Sequence, residues 1–537
     1  MNVPDTPFGR AMEKVQYWFD YGSAWMEWYI RVLKYCLLTG DGWSRIRDWP
    51  WPVWLTVFAA AWLIAFIISR RINPSPRYRG KYIRGTRLVA TRGYWWKVGV
   101  WSSKALVVGQ VRWPKKLEPL HLLVTGAPGT GKSQAIHGVL DPLRRRGDLA
   151  IATDVGGEAM SRFAEQEDRM LNPLDARSVS WSPFAEMVSA ADADRLAKSM
   201  IPDQEHGRER EWIGYGQALI SAVLRRLWEQ DKATNEALLH FLTAAPSADI
   251  QALVQGLPAQ SLFHPGNERM LSNVRGIVGT YLAPYNYLPG DAGPKSWSIR
   301  RHVQEGQGWL WLPYREDQRA ALRPLLATWL GEAINAMLSM SSDLDRRRWL
   351  LLDEVASLGC VQGLSDALTR GRKYGLCAIL GLQSVAQLRG AYGDDGAQTL
   401  LSCLSSQLIL RANDPETADY ASRHLGKCTV VRTSATYGGK NGPTRTRVEH
   451  TEELVLASEI QSLPDRRGYL RLAGQNRVRC VKIPIIKRAP YAEPFEPRPL
   501  ERSAPSSPPS PPAITPSPNL PPRPVLDADA ILGAGRE

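Results

Sequence analysis

Eight consecutive residues carry the clearest chemistry in the chain: Gly126-Ala127-Pro128-Gly129-Thr130-Gly131-Lys132-Ser133. Their spacing satisfies G-x-x-x-x-G-K-[ST], a glycine loop whose backbone N–H groups turn inward and cradle phosphate oxygens. In such a loop Lys132 reaches the β- and γ-phosphates of a nucleoside triphosphate, and the Ser133 hydroxyl holds Mg2+. The expected ligands are therefore a nucleoside triphosphate and Mg2+, with residues 126–133 as the cradle. A chance glycine turn would satisfy the same spacing, so the flanking elements must decide. Leu122-Leu123-Val124 reads as a buried strand before the loop, and a helix starts after it. That order points the positive end of the helix at the phosphates.

Phosphoryl transfer also needs a carboxylate for the metal and a group that orients the attacking water. Trp349-Leu350-Leu351-Leu352-Asp353-Glu354 supplies both at the end of an apolar strand. Asp353 is assigned with Ser133 to the metal, and Glu354 to water. Gln383 ends the strand Cys377–Leu382, at the edge of a parallel sheet that faces the ligand crevice. It is either a sensor of the γ-phosphate or a surface glutamine. Arg370, Arg372 and Lys373 form a basic turn between these strands. One of them could enter a neighbouring subunit's site, and the turn could equally be plain exposed surface.

The elements that must position these groups follow from periodicity. Leu149–Asp154, Trp309–Leu312, Trp349–Asp353, Cys377–Leu382 and Gln407–Leu410 are short apolar runs separated by helical stretches such as 322–338 and 361–369. That alternation predicts an α/β parallel sheet. Residues 190–200, 211–229 and 234–243 show helical spacing with few strand signals. They predict an all-α domain inserted over 186–285, within motor segments 76–185 and 286–488. Residues 466–486 predict a final strand pair.

Both ends differ from this middle. Residues 51–69 carry no charge, and nineteen helical residues span about 28 Å, close to a bilayer core. Ten basic and no acidic residues lie between Arg70 and Lys104, which predicts that this side is cytoplasmic. Residues 16–38 are aromatic but also carry Asp20, Glu27, Arg31 and Lys34, so they read either as an interfacial helix or as a first span. The N-terminal membrane region is thus set at 1–75. From 489 to 537 proline and serine dominate, which predicts a disordered tail. The net charge of +14 favours a polyanionic partner, nucleic acid or an anionic membrane face. Six scattered cysteines without a C-x-x-C pair argue against a zinc site or a disulfide framework.

Together with the glycine loop, Leu171-Asn-Pro, Trp181-Ser-Pro-Phe, Ala321-Leu-Arg-Pro-Leu, Leu352–Leu358, Ala367–Gly375 and Gly381-Leu-Gln-Ser384 resemble the type IV coupling proteins, in their TraD/TrwB branch, over about residues 80–486. The resemblance implies a RecA-like P-loop nucleotide-binding domain with an inserted all-α domain, assembled as a homo-hexamer on the cytoplasmic face of the inner membrane. It implies ATP-driven transfer of single-stranded DNA, with its attached relaxase, into a type IV secretion channel. It also implies that Lys132, Asp353, Glu354 and Gln383 are the nucleotide motifs and Arg372 the arginine finger. Two other functions fit parts of the sequence. An FtsK-like motor would pump duplex DNA, but such motors usually end in a winged helix and this chain ends in proline-rich sequence. A membrane receptor for secreted protein substrates would need no intact Asp353-Glu354 pair. Arg208, Arg210, Arg346, Arg347 and Arg348 are candidates for contact with DNA.

Overall fold

The computed structural model describes residues 62–64, 81–90, 105–203, 210–436 and 444–499. The predicted helix at 16–38, the predicted span at 51–69 apart from 62–64, and the tail from 500 lie outside the described residues. Among the described residues no helix is long and apolar enough to cross a membrane.

The chain divides into two compact units. In the smaller one, strands Lys81–Gly85, Lys427–Thr436 and Thr444–Glu453 form an antiparallel sheet, and Arg87–Ala90 runs parallel to Arg477–Cys480. The expected motor segments 76–185 and 286–488 therefore contribute pieces to this separate unit.

The larger unit is built on a mixed sheet. Its strands are β1 (Leu122–Thr125), β2 (Leu149–Val155), β3 (Arg169–Met170), β4 (Leu310–Tyr314), β5 (Arg348–Leu352), β6 (Leu376–Leu382), β7 (Ser406–Ile409) and β8 (Arg467–Arg471). Their order is β8-β7-β1-β6-β5-β2-β4-β3. All neighbours are parallel except β7 and β8. Every position of β6 is buried, as both faces of a covered parallel sheet require.

Helices α1 (Lys132–Arg146) and α2 (Glu158–Phe163), and beyond the helical segment α7 (Arg319–Leu338) and α8 (Leu364–Arg370), lie against this sheet; α3 (Asp192–Met200), α4 (Arg210–Glu229), α5 (Glu268–Leu282) and α6 (Ile299–Glu305) form the helical segment, and α3, α5 and α6 pack on α7. The helical run thus continues to Glu305, past the expected boundary at 285. Ser298 caps α6 by accepting from Arg301 N at 3.2 Å, and Gly306 ends it in a left-handed conformation. The buried carboxylate of Glu186 ties this segment to the sheet region. It accepts from Trp181 Nε1 at 2.9 Å, Ile299 N at 2.7 Å and Arg300 N at 2.9 Å.

The expected disordered tail begins too early at 489, because residues 483–498 form an extended strap along the larger unit. Ile486 N donates to Gln134 Oε1 at 2.8 Å, Tyr491 N to Ser161 O at 2.6 Å, and Arg498 N to Leu174 O at 2.9 Å. Backbone hydrogen bonds of this kind do not depend on apolar side chains, so composition gave no sign of them.

Candidate functional site

Four chain segments meet at the C-terminal ends of the parallel strands. Residues 126–131 leave β1 and enter α1, with Gly129 at φ 75° and Gly131 at φ 105°, conformations that L side chains rarely adopt. Asp353 and Glu354 follow β5, Gln383 follows β6, and Asp154 lies near the end of β2. They surround a cavity of about 520 Å³.

Most of the residues expected from sequence line it. Ala127, Pro128, Gly129, Gly131, Lys132 and Ser133 do so, as do Asp353, Glu354 and Gln383. Gly126 and Thr130 act from behind: Gly126 O accepts from Lys132 Nζ at 2.8 Å, and Thr130 Oγ1 donates to Ala127 O at 2.7 Å. The Ser133 hydroxyl donates to Asp353 Oδ2 at 2.9 Å, and Gln383 Nε2 donates to Glu354 Oε2. The register of β6 against β5 makes this possible. A side chain on Gly381 would place its Cβ 1.7 Å from the Asp353 carbonyl oxygen, so only glycine lets the two strands run this close.

Arg372 is not brought to this cavity. It sits exposed on the turn Gly371–Tyr374, before β6, whereas Gln383 follows β6. Seven residues of strand separate the two ends of β6 by roughly 20 Å. Arg347, a candidate for DNA contact, is buried instead: its Nε donates to Glu118 Oε2 at 3.0 Å. Arg208 lies outside the described residues.

Several lining residues were missed from sequence: Gln134, His137, Asp154, Glu158, Glu316 and Arg319. Asp154 had a signal, since it ends a predicted strand. Arg319 had none, because it reaches the cavity from the start of α7.

Burial sets the electrostatics. It lowers the pKa of Lys132, against the pull of Glu354 and Asp353. It raises Glu354, against Lys132 and the Gln383 hydrogen bond. It pushes Asp154 up to about 7, although Met160 N donates to Asp154 Oδ2 at 2.7 Å. Burial also lowers His137.

The oxygens around Ser133 fit a divalent cation. Asp353 Oδ1 is buried and has no hydrogen-bond partner among the described residues. A hydroxyl and a carboxylate are the hard donors that Mg2+ takes, with waters and phosphate oxygens completing its shell. Among the described residues no group of three or more His, Cys, Asp or Glu could hold a metal by itself.

The family model described as the type IV secretion-system coupling protein DNA-binding domain matches residues 105–484. The chain belongs to this coupling-protein family. Within the family it is similar to the coupling protein TraD of Escherichia coli strain K12, 28% identical over 387 residues, which is 70% of this chain and 54% of TraD. The match thus spans about half the length of that relative. It is also similar to the solved structure of the bacterial conjugative coupling protein TrwBdeltaN70, with 33% identity and a TM-score of 0.71, covering 78% of this chain and 97% of that one. The plasmid coupling protein TrwB in complex with ADP and Mg2+ matches with 32% identity and a TM-score of 0.70, over 79% of this chain and 99% of that one. These matches give the larger unit its class, a RecA-like nucleotide-binding domain with a helical domain.

Proposed function

We propose that this coupling-family chain is an ATP-hydrolysing motor that links a relaxase-bearing single strand of DNA to a type IV secretion channel and drives the strand through it. The observation that carries the reading is the contact between Ser133 and Asp353 beside Lys132. It joins the phosphate cradle to the acid pair across the strand edge.

The residues divide the work as follows. The amides of 127–133 and the start of α1 bind the β- and γ-phosphates, and Lys132 exchanges Gly126 O for a phosphate oxygen. Ser133 and Asp353 would hold Mg2+, which when bound neutralises charge on the phosphates. Glu354 orients the attacking water, and its raised pKa makes it a better proton acceptor than an ordinary carboxylate. Gln383, on Glu354, reports loss of the γ-phosphate to β6. TrwB in complex with ADP and Mg2+ is in line with this division.

Arg372 then belongs to a neighbour's site. Its place at the opposite end of β6 keeps it from its own nucleotide, while a ring of six subunits would present it to the next one as a finger. In that ring DNA is held through backbone charge, with little sequence preference. The membrane region at 1–75, with its span at 51–69, anchors the ring on the cytoplasmic face of the inner membrane; the motor, with the helical insertion inside it, and then the tail follow.

The reading is tested in cells that depend on this chain for DNA transfer. Lys132→Ala should abolish transfer while the protein remains in the membrane fraction. Transfer at the parent frequency would overturn it.

A further inference from the structure

A second, small cavity of about 20 Å³ adjoins the nucleotide cavity, room for about one water molecule. Ser133, His137, Asp154 and Asp353 line both cavities. Pairing of β2 with β5 sets Thr153 beside Leu352, so the acids that follow on each strand come side by side. His137 lies one helical turn after Ser133 on α1 and so shares its face.

Three buried polar atoms of residues lining the small cavity lack a hydrogen-bond partner among the described residues; one is Thr153 Oγ1, a hydroxyl that can turn to donate or accept. His137 is 5% exposed, and its Nδ1 has no hydrogen-bond partner among the described residues. The same holds for Asp353 Oδ1, whose sister oxygen is taken by Ser133. A buried polar atom without a partner is costly, because it has given up its bond to water for nothing in return. A neutral imidazole offers one acceptor nitrogen, and a carboxylate oxygen accepts as well. A single water with two protons can satisfy both. Burial, which lowers the His137 pKa, favours the neutral ring this requires.

We propose that the small cavity is a structural water site, and that His137 acts through this water as a positioning residue for Asp353. The water holds Oδ1 on the α1 side and so keeps Oδ2 on Ser133, where the metal would be received. This rests on the metal assignment made above. His137 also packs against Phe163, ring centroids 5.6 Å apart, so a purely packing role is the competing account.

Two variants separate these accounts. Asn carries an acceptor oxygen near the position of Nδ1, whereas Leu keeps the bulk and loses the acceptor. The experiment titrates fluorescent ADP onto the full chain in detergent across a range of Mg2+ concentrations, with thermal melting as the check on folding. His137→Leu should need about tenfold more Mg2+ to reach half of its tightened ADP binding. His137→Asn should stay within about twofold of the parent. If the Leu variant does not fold, His137→Met carries the same comparison. Equal Mg2+ dependence in the parent and the Leu variant overturns the inference, as does an Asn variant as weak as the Leu one. A parent whose ADP binding ignores Mg2+ overturns the metal assignment as well.

Discussion

Ser133 Oγ lies 2.9 Å from Asp353 Oδ2, joining side chains 220 positions apart. Ser133 opens α1 and Asp353 follows β5, with β1 and β6 between them in the fold. The contact therefore depends on β1, β6 and β5 lying side by side in that order. If the order were different, the glycine loop and the acid pair would not share a cavity.

Lys132→Ala should reduce phosphate release by on the order of 10³, the scale for loss of a preorganised donor. Its melting temperature should stay near the parent's or rise. Burial holds the Lys132 ammonium below its usual pKa, so the folded state gains little from this charge. Parent-level turnover in the variant would remove Lys132 from the chemistry.

Glu354→Gln should bind ATP with parent-like affinity and stall. The amide retains a carbonyl that accepts from Gln383 but cannot take a proton from water. Filter binding with radiolabelled ATP, followed by a single-turnover chase, separates the two steps. Rapid hydrolysis in the chase would leave Glu354 without its assigned role.

Arg372→Ala should lose DNA-stimulated turnover in assembled rings and keep nucleotide binding. Mixing it with Lys132→Ala subunits should restore part of the activity, since each then supplies what its neighbour lacks. No recovery at any mixing ratio would weigh against action between subunits.

Asp154 makes stability depend on pH. Its folded pKa of about 7 lies above the ordinary carboxylate value. Between these values the folded state holds a proton that the unfolded chain has released. Stability therefore falls as pH rises through this window, by on the order of 4 kcal/mol at most, and the loss is complete above the folded pKa. In nucleotide-free protein the melting temperature should drop from about pH 5 to about pH 8, and Asp154→Asn should flatten that drop. Parallel profiles for the two proteins would contradict the assignment.

Gly381→Ala should drive a methyl group into the Asp353 carbonyl, 1.7 Å from where its Cβ must stand. Overpacking of this kind costs about 1–3 kcal/mol, and the melting temperature should fall by at least about 3 °C. Mg2+-dependent ADP binding should weaken with it, because the end of β5 has to move. A variant that melts and binds like the parent would show that β5 and β6 have room to separate.

Much of this site was legible in the sequence because its signals are local. The loop 126–133 is defined by spacing, and Asp353-Glu354 and Gln383 each end an apolar run of strand length. What sequence could not give is approach from elsewhere in the chain. His137 and Arg319 reach the cavity by helix phase and helix placement, which leave no motif. Arg347 read as surface charge because the carboxylate that buries it, Glu118, is 229 positions away. The strap at 483–498 was hidden because its own backbone groups make many of its bonds, to partners more than 300 positions away. The strands 81–90 and 427–436 looked like parts of the motor because pairing partners cannot be read from propensity.

The central claim is that the acid pair and the glycine loop split ATP in the service of moving single-stranded DNA. It is tested most directly by the ATP turnover of the purified full chain with single-stranded DNA, duplex DNA or no DNA, beside Glu354→Gln as the control. Turnover should rise with single-stranded DNA, fall steeply with added salt and vanish in the control. Turnover that ignores nucleic acid, or that persists in Glu354→Gln, would contradict it.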